Sequence, residues 1–275
     1  MKLREIGPKI NDELKRFEHK IEIPQERLDA YVESFAKDPL EVAMARISFQ
    51  FTPKKDETEA QVKDLAAKFP LTYLFPKQLQ DHKGRPVAMI GSVESDLAGH
   101  VVSQMSQNMS LSGLFLHLVL EKVIEVYKID REKLTEVFFI SPIFDSSKRG
   151  IIEAGLDAYF AGDYLVATHV LVPQVEDAVR NLIELTGGTV MKSNRVGGLQ
   201  LKTFDELLRE EVMAGVFGED ISLYLRVLFT DQRGWNVRNN VCHGIFTSDV
   251  FQKPIADRVI HGLIILSQIR REEDK

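Results

Sequence analysis

Apolar residues recur at three- and four-residue intervals along most of the chain, the spacing that gathers them on one face of an α-helix. This spacing predicts a helix over 24–36, where Leu28, Tyr31, Val32 and Phe35 form one stripe behind Pro24. A second helix is predicted over 38–51, opening with Asp38-Pro39 as cap and first-turn residue, and a third over 56–68, capped by Asp56 with Ala60, Val62, Leu65 and Ala66 inward. The pattern breaks over 70–91. Pro70, Pro76, Lys83-Gly84-Arg85-Pro86 and Gly91 punctuate this stretch, and Val87-Ala88-Met89-Ile90 is its one apolar run. It reads as a connector carrying one short strand.

Helical spacing returns near Ser92 and holds to about Tyr127, through Val93, Leu97, Val101, Met105, Leu111, Leu114, Phe115, Leu118 and Val119. Ser110-Leu111-Ser112-Gly113 is a place where this helix would kink or split. Further helices are predicted over 130–140, 145–161 and 163–186. Pro173 bends the last of these or starts a second segment, and Gly187-Gly188 ends it. Residues 188–202 alternate instead. Thr189-Val190-Met191-Lys192 and Leu199-Gln200-Leu201-Lys202 flank a turn containing Asn194 and Gly197-Gly198, which predicts a β-hairpin. Thr203 and Glu206 then form a capping-box pattern. Helices over 219–230, 236–245 and within 248–270 complete the chain, the last with Ile255, Val259, Leu263, Leu266 and Ile269 inward. The expected fold is mainly all-α, a helical bundle with one small β-hairpin insertion and no parallel sheet.

Composition narrows the class of protein. A chain of 275 residues fits one large domain or two smaller ones, and 44% hydrophobic with 28% charged residues is ordinary for a soluble globular protein. The apolar runs, such as Val259-Ile260 and Leu263-Ile264-Ile265-Leu266, are too short to span a bilayer, so no membrane partner is expected. Met1-Lys2-Leu3-Arg4-Glu5 is followed by no apolar stretch, which argues against a signal peptide and for a cytoplasmic location. The single cysteine, Cys242, excludes an internal disulfide and a Cys-rich zinc site. A net charge of −6 argues against a broad basic surface that coats nucleic acid, but leaves room for a small basic pocket acting on one phosphate.

The chemistry concentrates in Arg238-Asn239-Asn240-Val241-Cys242-His243. A guanidinium can hold a phosphate through two parallel hydrogen bonds, and an imidazole can take and give a proton near neutral pH. Together they suffice for cleaving a phosphodiester without a metal. Arg238 and His243 are five apart, so on an ideal helix they diverge by ~140°. Either an irregular helix start or two copies meeting at a two-fold axis would bring an arginine to a histidine. Glu176 and Arg180, one turn apart, form either an ordinary intrahelical ion pair or a carboxylate and phosphate contact beside Arg238. Trp235 reads as a packed cap on the helix junction more readily than as a base-stacking platform. Glu94, Asp96 and His100 lack further ligands, so no metal is expected. His117, His169 and His261 read as core or interface histidines, and the paired glycines as turn glycines rather than a phosphate loop.

From residue 163 onward the chain resembles the C-terminal part of a widespread family recognised by an Arg-Asn-x-x-x-His motif, matched here by Arg238 to His243. The helix carrying Leu171-Val172-Pro173-Gln174-Val175-Glu176 and Arg180 contributes to the likeness. So does the passage from Leu225–Phe229 through Arg233-Gly234-Trp235-Asn236 into the motif. The likeness covers about 163–270, is fainter over 84–162 and stops before residue 80. The motif is also similar to the Arg-x(4–6)-His signature of the HEPN superfamily. These are helical, commonly dimeric domains, many of them metal-independent endoribonucleases of toxin–antitoxin, antiviral and RNA-processing systems.

The resemblance implies a HEPN-like helical domain over 84–275 behind an N-terminal helical region over 1–83. It implies a homodimer acting on RNA or a nucleotide without a cofactor. Arg238, His243 and Asn239 would be catalytic, and Arg180, Glu176, Arg233 and Asn240 would bind substrate. His243 would act on the ribose 2′-hydroxyl or the leaving 5′-oxygen, Arg238 would hold the phosphate oxygens and Asn239 would orient the imidazole. The products would carry 2′,3′-cyclic phosphate and 5′-hydroxyl ends. The alternative is a non-catalytic module in which the same Arg and His hold a nucleotide or RNA, or stitch a dimer.

Overall fold

Helices carry most of the chain, as the apolar spacing requires. The structure, a computed structural model, describes residues 23–81 and 83–271. The expectations for residues 1–22, part of the N-terminal region, lie outside the described residues. Three helices open the fold: α1 (Gln25–Glu33, extended by a 3₁₀ turn over Ser34–Ala36), α2 (Leu40–Gln50) and α3 (Lys55–Lys68). The short α4 (Pro70–Leu74) leads into β1 (Lys77–Gln80) and β2 (Pro86–Ile90). Then come α5 (Leu97–Tyr127), α6 (Arg131–Phe139), α7 (Arg149–Phe160) and α8 (Tyr164–Leu185). A hairpin of β3 (Met191–Ser193) and β4 (Leu199–Leu201) precedes α9 (Phe204–Leu208), α10 (Glu211–Phe229), α11 (Val237–Cys242) and α12 (Lys253–Leu266). No described helix is long and apolar enough to cross a membrane.

The hairpin expected at 189–202 is present, with Met191 opposite Leu201 and the Asn194 side chain accepting from the N–H groups of Val196 and Gly198. A second antiparallel hairpin occupies the segment read as a connector with one strand, pairing Lys77 with Ile90. Its turn is organised locally by Asp81, which accepts from the backbone of Lys83 and Arg85 and from Arg85 Nε. Its first strand, Lys-Gln-Leu-Gln, has too little apolar contrast to register as a strand in sequence.

Several helix ends depart from expectation. Thr203 forms the full capping box with Glu206. Asp38 and Asp56 do not cap: the N-cap positions are Pro39 and Lys54. The first turn of α3 is instead served from a distance, because Asp220 of α10 accepts from Lys55 N at 2.8 Å. The long helix α5 begins at Leu97 rather than Ser92, capped by Asp96 on Gly99 N. It passes Ser110–Gly113 unbroken, with the Ser110 and Ser112 hydroxyls returned to the carbonyls of Ser106 and Asn108. The helix α8 also runs on through Pro173. The break falls at Gly218 inside α10, at φ 77° and ψ 168°, a region open essentially to glycine alone.

The core is built around α12. The spacing expected one inward stripe, yet every residue from Ala256 to Leu266 is buried. A helix buried on all sides is central, and α12 packs against α2, α5 and α8. Its polar side chains find partners there, Arg258 Nε alone being buried without an acceptor. Arg258 donates to the carbonyls of Phe51 (3.0 Å) and Met109 (2.7 Å) and to the Ser112 hydroxyl (2.8 Å). Asp257 accepts from the Tyr159 hydroxyl at 2.7 Å and lies 3.1 Å from His117 Nδ1. Burial raises the Asp257 carboxyl, and those two partners offset part of the rise.

Candidate functional site

The motif helix is placed by the turn before it. Asp231, buried at the end of α10, accepts from the backbone N–H of Arg233 at 3.0 Å and takes a two-pronged contact from its guanidinium at 3.0 and 2.8 Å. Burial alone would raise this carboxyl, but the Arg233 contacts outweigh it and hold it below the ordinary value. The chain then folds back on α10, with Trp235 N donating to Val227 O at 2.9 Å. Gly234 permits that approach, since a Cβ there would stand 2.3 Å from the same carbonyl. Asn236 adopts the left-handed conformation, φ 51°, which asparagine tolerates better than most residues. It starts the six-residue helix α11.

α11 packs against α8 and brings two of the expected groups together across 62 residues of chain. Arg238 Nε donates to Glu176 Oε2 at 2.9 Å, while Arg180 Nη2 donates to Glu176 Oε1 at 2.9 Å. One carboxylate thus lies between two guanidiniums, and the three side chains are only 16–25% exposed. The cluster carries one excess positive charge. Arg180 Nη1 is buried without an acceptor, so the cluster also holds unspent donor capacity.

The other expected site residues are placed differently. His243 is the C-cap residue just after α11, followed by left-handed Gly244, and its imidazole is exposed with no hydrogen-bond partner among the described residues. Asn239 does not touch it. Its amide nitrogen donates to Asn236 Oδ1 (2.7 Å) and Thr230 O (3.2 Å), and its oxygen faces Arg238 Nη1 at 3.4 Å. The asparagine therefore steadies the start of the helix and the arginine rather than the imidazole. Asn240 is likewise local, donating to Trp235 O at 3.2 Å. Arg233 is not part of the Glu176 cluster. It is committed to Asp231 and lines a separate cleft of about 800 Å³ against α5 and α10. Trp235 packs as a junction cap, its indole donating to Ser106 O at 3.3 Å.

His261 is a core histidine, fully buried between the Tyr224 hydroxyl and Ile47 O. His117 is partly buried beside Asp257, whereas His169 is exposed on Phe251. Asp96 serves as a helix cap and His100 hydrogen-bonds Gly91 O at 2.9 Å, so each has a structural partner. The sequence reading missed Arg226, which lines the same cleft as Arg233. Its signal was a charge inside the apolar run Leu223-Tyr224-Leu225-Arg226-Val227-Leu228-Phe229.

Fold and site thus define a mainly helical protein with a half-buried arginine–carboxylate–arginine cluster and an exposed histidine after the helix that carries Arg238. No protein-family model, curated protein or solved structure matches the chain.

Proposed function

We propose that the protein is a HEPN-like, metal-independent endoribonuclease that works as a homodimer. The observation carrying this reading is the Arg180–Glu176–Arg238 cluster. It joins Arg180 of α8 to Arg238 of α11, the helix that the free imidazole of His243 follows, and keeps unspent donors on the guanidinium pair. Glu176 fixes Arg238 through Nε and Asn239 faces Nη1, which leaves Nη2 for phosphate oxygens. His243 takes the proton of the ribose 2′-hydroxyl as the 2′-oxygen bonds to phosphorus. The bond from phosphorus to the 5′-oxygen breaks, and that oxygen takes a proton from water as it leaves. Arg238 and Arg180 neutralise charge growing on the non-bridging oxygens. The products are a 2′,3′-cyclic phosphate and a 5′-hydroxyl. Two copies meeting at α11 place each arginine near the other copy's imidazole, which answers the ~140° divergence within one helix.

A second reading is a non-catalytic module that binds RNA or assembles a dimer. It is favoured by the commitment of Arg238 to Glu176, since a paired arginine also serves to hold α11 on α8. One experiment separates the two. The protein is incubated with mixed RNA in EDTA beside His243→Ala and Arg238→Ala, with oligomeric state followed by light scattering. The nuclease reading expects cleavage by wild type alone, each variant losing about 10²–10⁴-fold with helix content unchanged. Intact RNA with wild type, together with loss of the dimer in His243→Ala, would establish the assembly reading instead.

A further inference from the structure

The cleft lined by Arg226 and Arg233 lies at the break in α10. Gly218 turns the two halves of that helix apart, so Ala214 stands on one side and Ser222, Leu223 and Arg226 on the other, with α5 closing the space. At about 800 Å³ the cleft falls in the size range of small-molecule sites. Its wall is aliphatic: Leu97, Val101, Val102, Leu208, Ala214 and Leu223. Among the described residues no aromatic side chain lines it, so they offer nothing on which a nucleobase would stack.

The polar end is dominated by one unsatisfied group. The Arg226 guanidinium makes no hydrogen bond among the described residues. Its Nε is buried without an acceptor, and the nearest carboxylate oxygen, on Asp231, stands 3.9 Å from Nη2. Only Nε is shut off from water; the terminal nitrogens, on a side chain 21% exposed, are open to the cleft and have no acceptor among the described residues. Burial first, and the neighbouring Arg209 second, pull this guanidinium below its ordinary value.

Most of the surrounding carboxylates are engaged by other partners. Asp231 is held by Arg233 and Asp205 by Arg209 at 2.7 Å, and Asp96 caps α5. Glu59, Glu210 and Glu219 pair with Lys63, Lys202 and Lys55 respectively. Glu211, in the first turn of α10, lines the cleft but makes no ion pair with Arg226 or any other described residue. The protein itself therefore supplies no good anionic partner for Arg226, while the cleft beside it would accept one attached to an apolar body.

We propose that this cleft binds a small amphipathic anion, an aliphatic chain carrying a carboxylate or phosphate monoester head. The head pairs with Arg226, flanked by Arg233, and the chain lies along the α5 and Leu208 wall. This site is independent of the ribonuclease reading, since none of the residues of the Glu176 cluster lines it.

Calorimetric titration with decanoate and decyl phosphate, below micelle formation, tests the proposal, with inorganic phosphate and AMP as comparison ligands. One equivalent of at least one amphiphile should bind, with phosphate and AMP at least about tenfold weaker. The tighter amphiphile identifies the head. Arg226→Gln should weaken binding by about tenfold to a hundredfold, the range for a lost charge-assisted contact. Ala214→Trp should abolish binding by filling the cleft, and it serves as the test if Arg226→Gln does not fold. Four results would overturn the proposal: no binding of either amphiphile, equal binding of AMP, unchanged affinity in folded Arg226→Gln, or unchanged binding in Ala214→Trp.

Discussion

His261 should make the protein acid-sensitive well above the range in which carboxylates titrate. Its ring is enclosed between the Tyr224 hydroxyl on Nδ1 (2.7 Å) and Ile47 O on Nε2 (3.1 Å). A carbonyl only accepts, so Nε2 carries the proton and Nδ1 accepts from the tyrosine, which is the neutral imidazole. Burial, reinforced by the nearby Arg258 charge, lowers its pKa from 6.5 to about 3. The unfolded chain therefore takes up a proton near pH 6.5 that the folded chain refuses until about pH 3. Stability from this residue is complete above pH 6.5 and falls as pH drops through that window, by about 1.4 kcal/mol per unit. Between pH 7.5 and pH 5 the loss is about 2 kcal/mol. The depressed carboxyls of Asp81 and Glu206, both at about 2, act in the same direction but mainly below the unfolded carboxylate range. Urea unfolding of wild type and His261→Gln at pH 7.5, 6.5, 5.5 and 5.0 isolates the residue, because the other titrating groups cancel in the difference. Wild type should lose about 2 kcal/mol more than the variant across that range. Parallel pH profiles would show that His261 charges freely in the folded state, and the reasoning would fail.

Two further perturbations probe how the motif helix and its neighbours are held. Gly234→Ala should destabilise the protein by about 1–3 kcal/mol in urea unfolding, since the new Cβ meets the Val227 carbonyl at 2.3 Å and backbone must shift. Thr203→Ala should cost about 1 kcal/mol by removing the capping box, with Thr203→Ser restoring most of it, as read by thermal unfolding.

What was legible in the sequence was what four to eight neighbouring residues decide. Helical spacing announced α1 through α3, α5 through α8 and α12. The Thr203–Glu206 box and the Asn194 turn were readable because each closes its hydrogen bonds within a few residues. The sequence also placed Arg180 one turn from Glu176, a spacing that needs only helix geometry to become an ion pair. Tertiary structure decided the rest. Asp56 looked like a cap, but the first N–H of α3 goes to Asp220, 165 residues away, where packing of α10 offers a better-placed carboxylate. His261 read as a core or interface histidine, while Arg258 lay off the inward stripe of Ile255, Val259, Leu263 and Leu266. Both are buried because α12 is surrounded by α2, α5 and α8, and Phe51 O, Met109 O, the Ser112 hydroxyl, Ile47 O and the Tyr224 hydroxyl partner all their polar atoms except Arg258 Nε. The join between Arg238 and Glu176 depends on the turn at Gly234 laying α11 on α8. The cleft at Arg226 depends on Gly218 opening α10 against α5. Neither is a property of any short stretch of chain, because hydrogen bonds and cavities between distant helices exist only once those helices have packed.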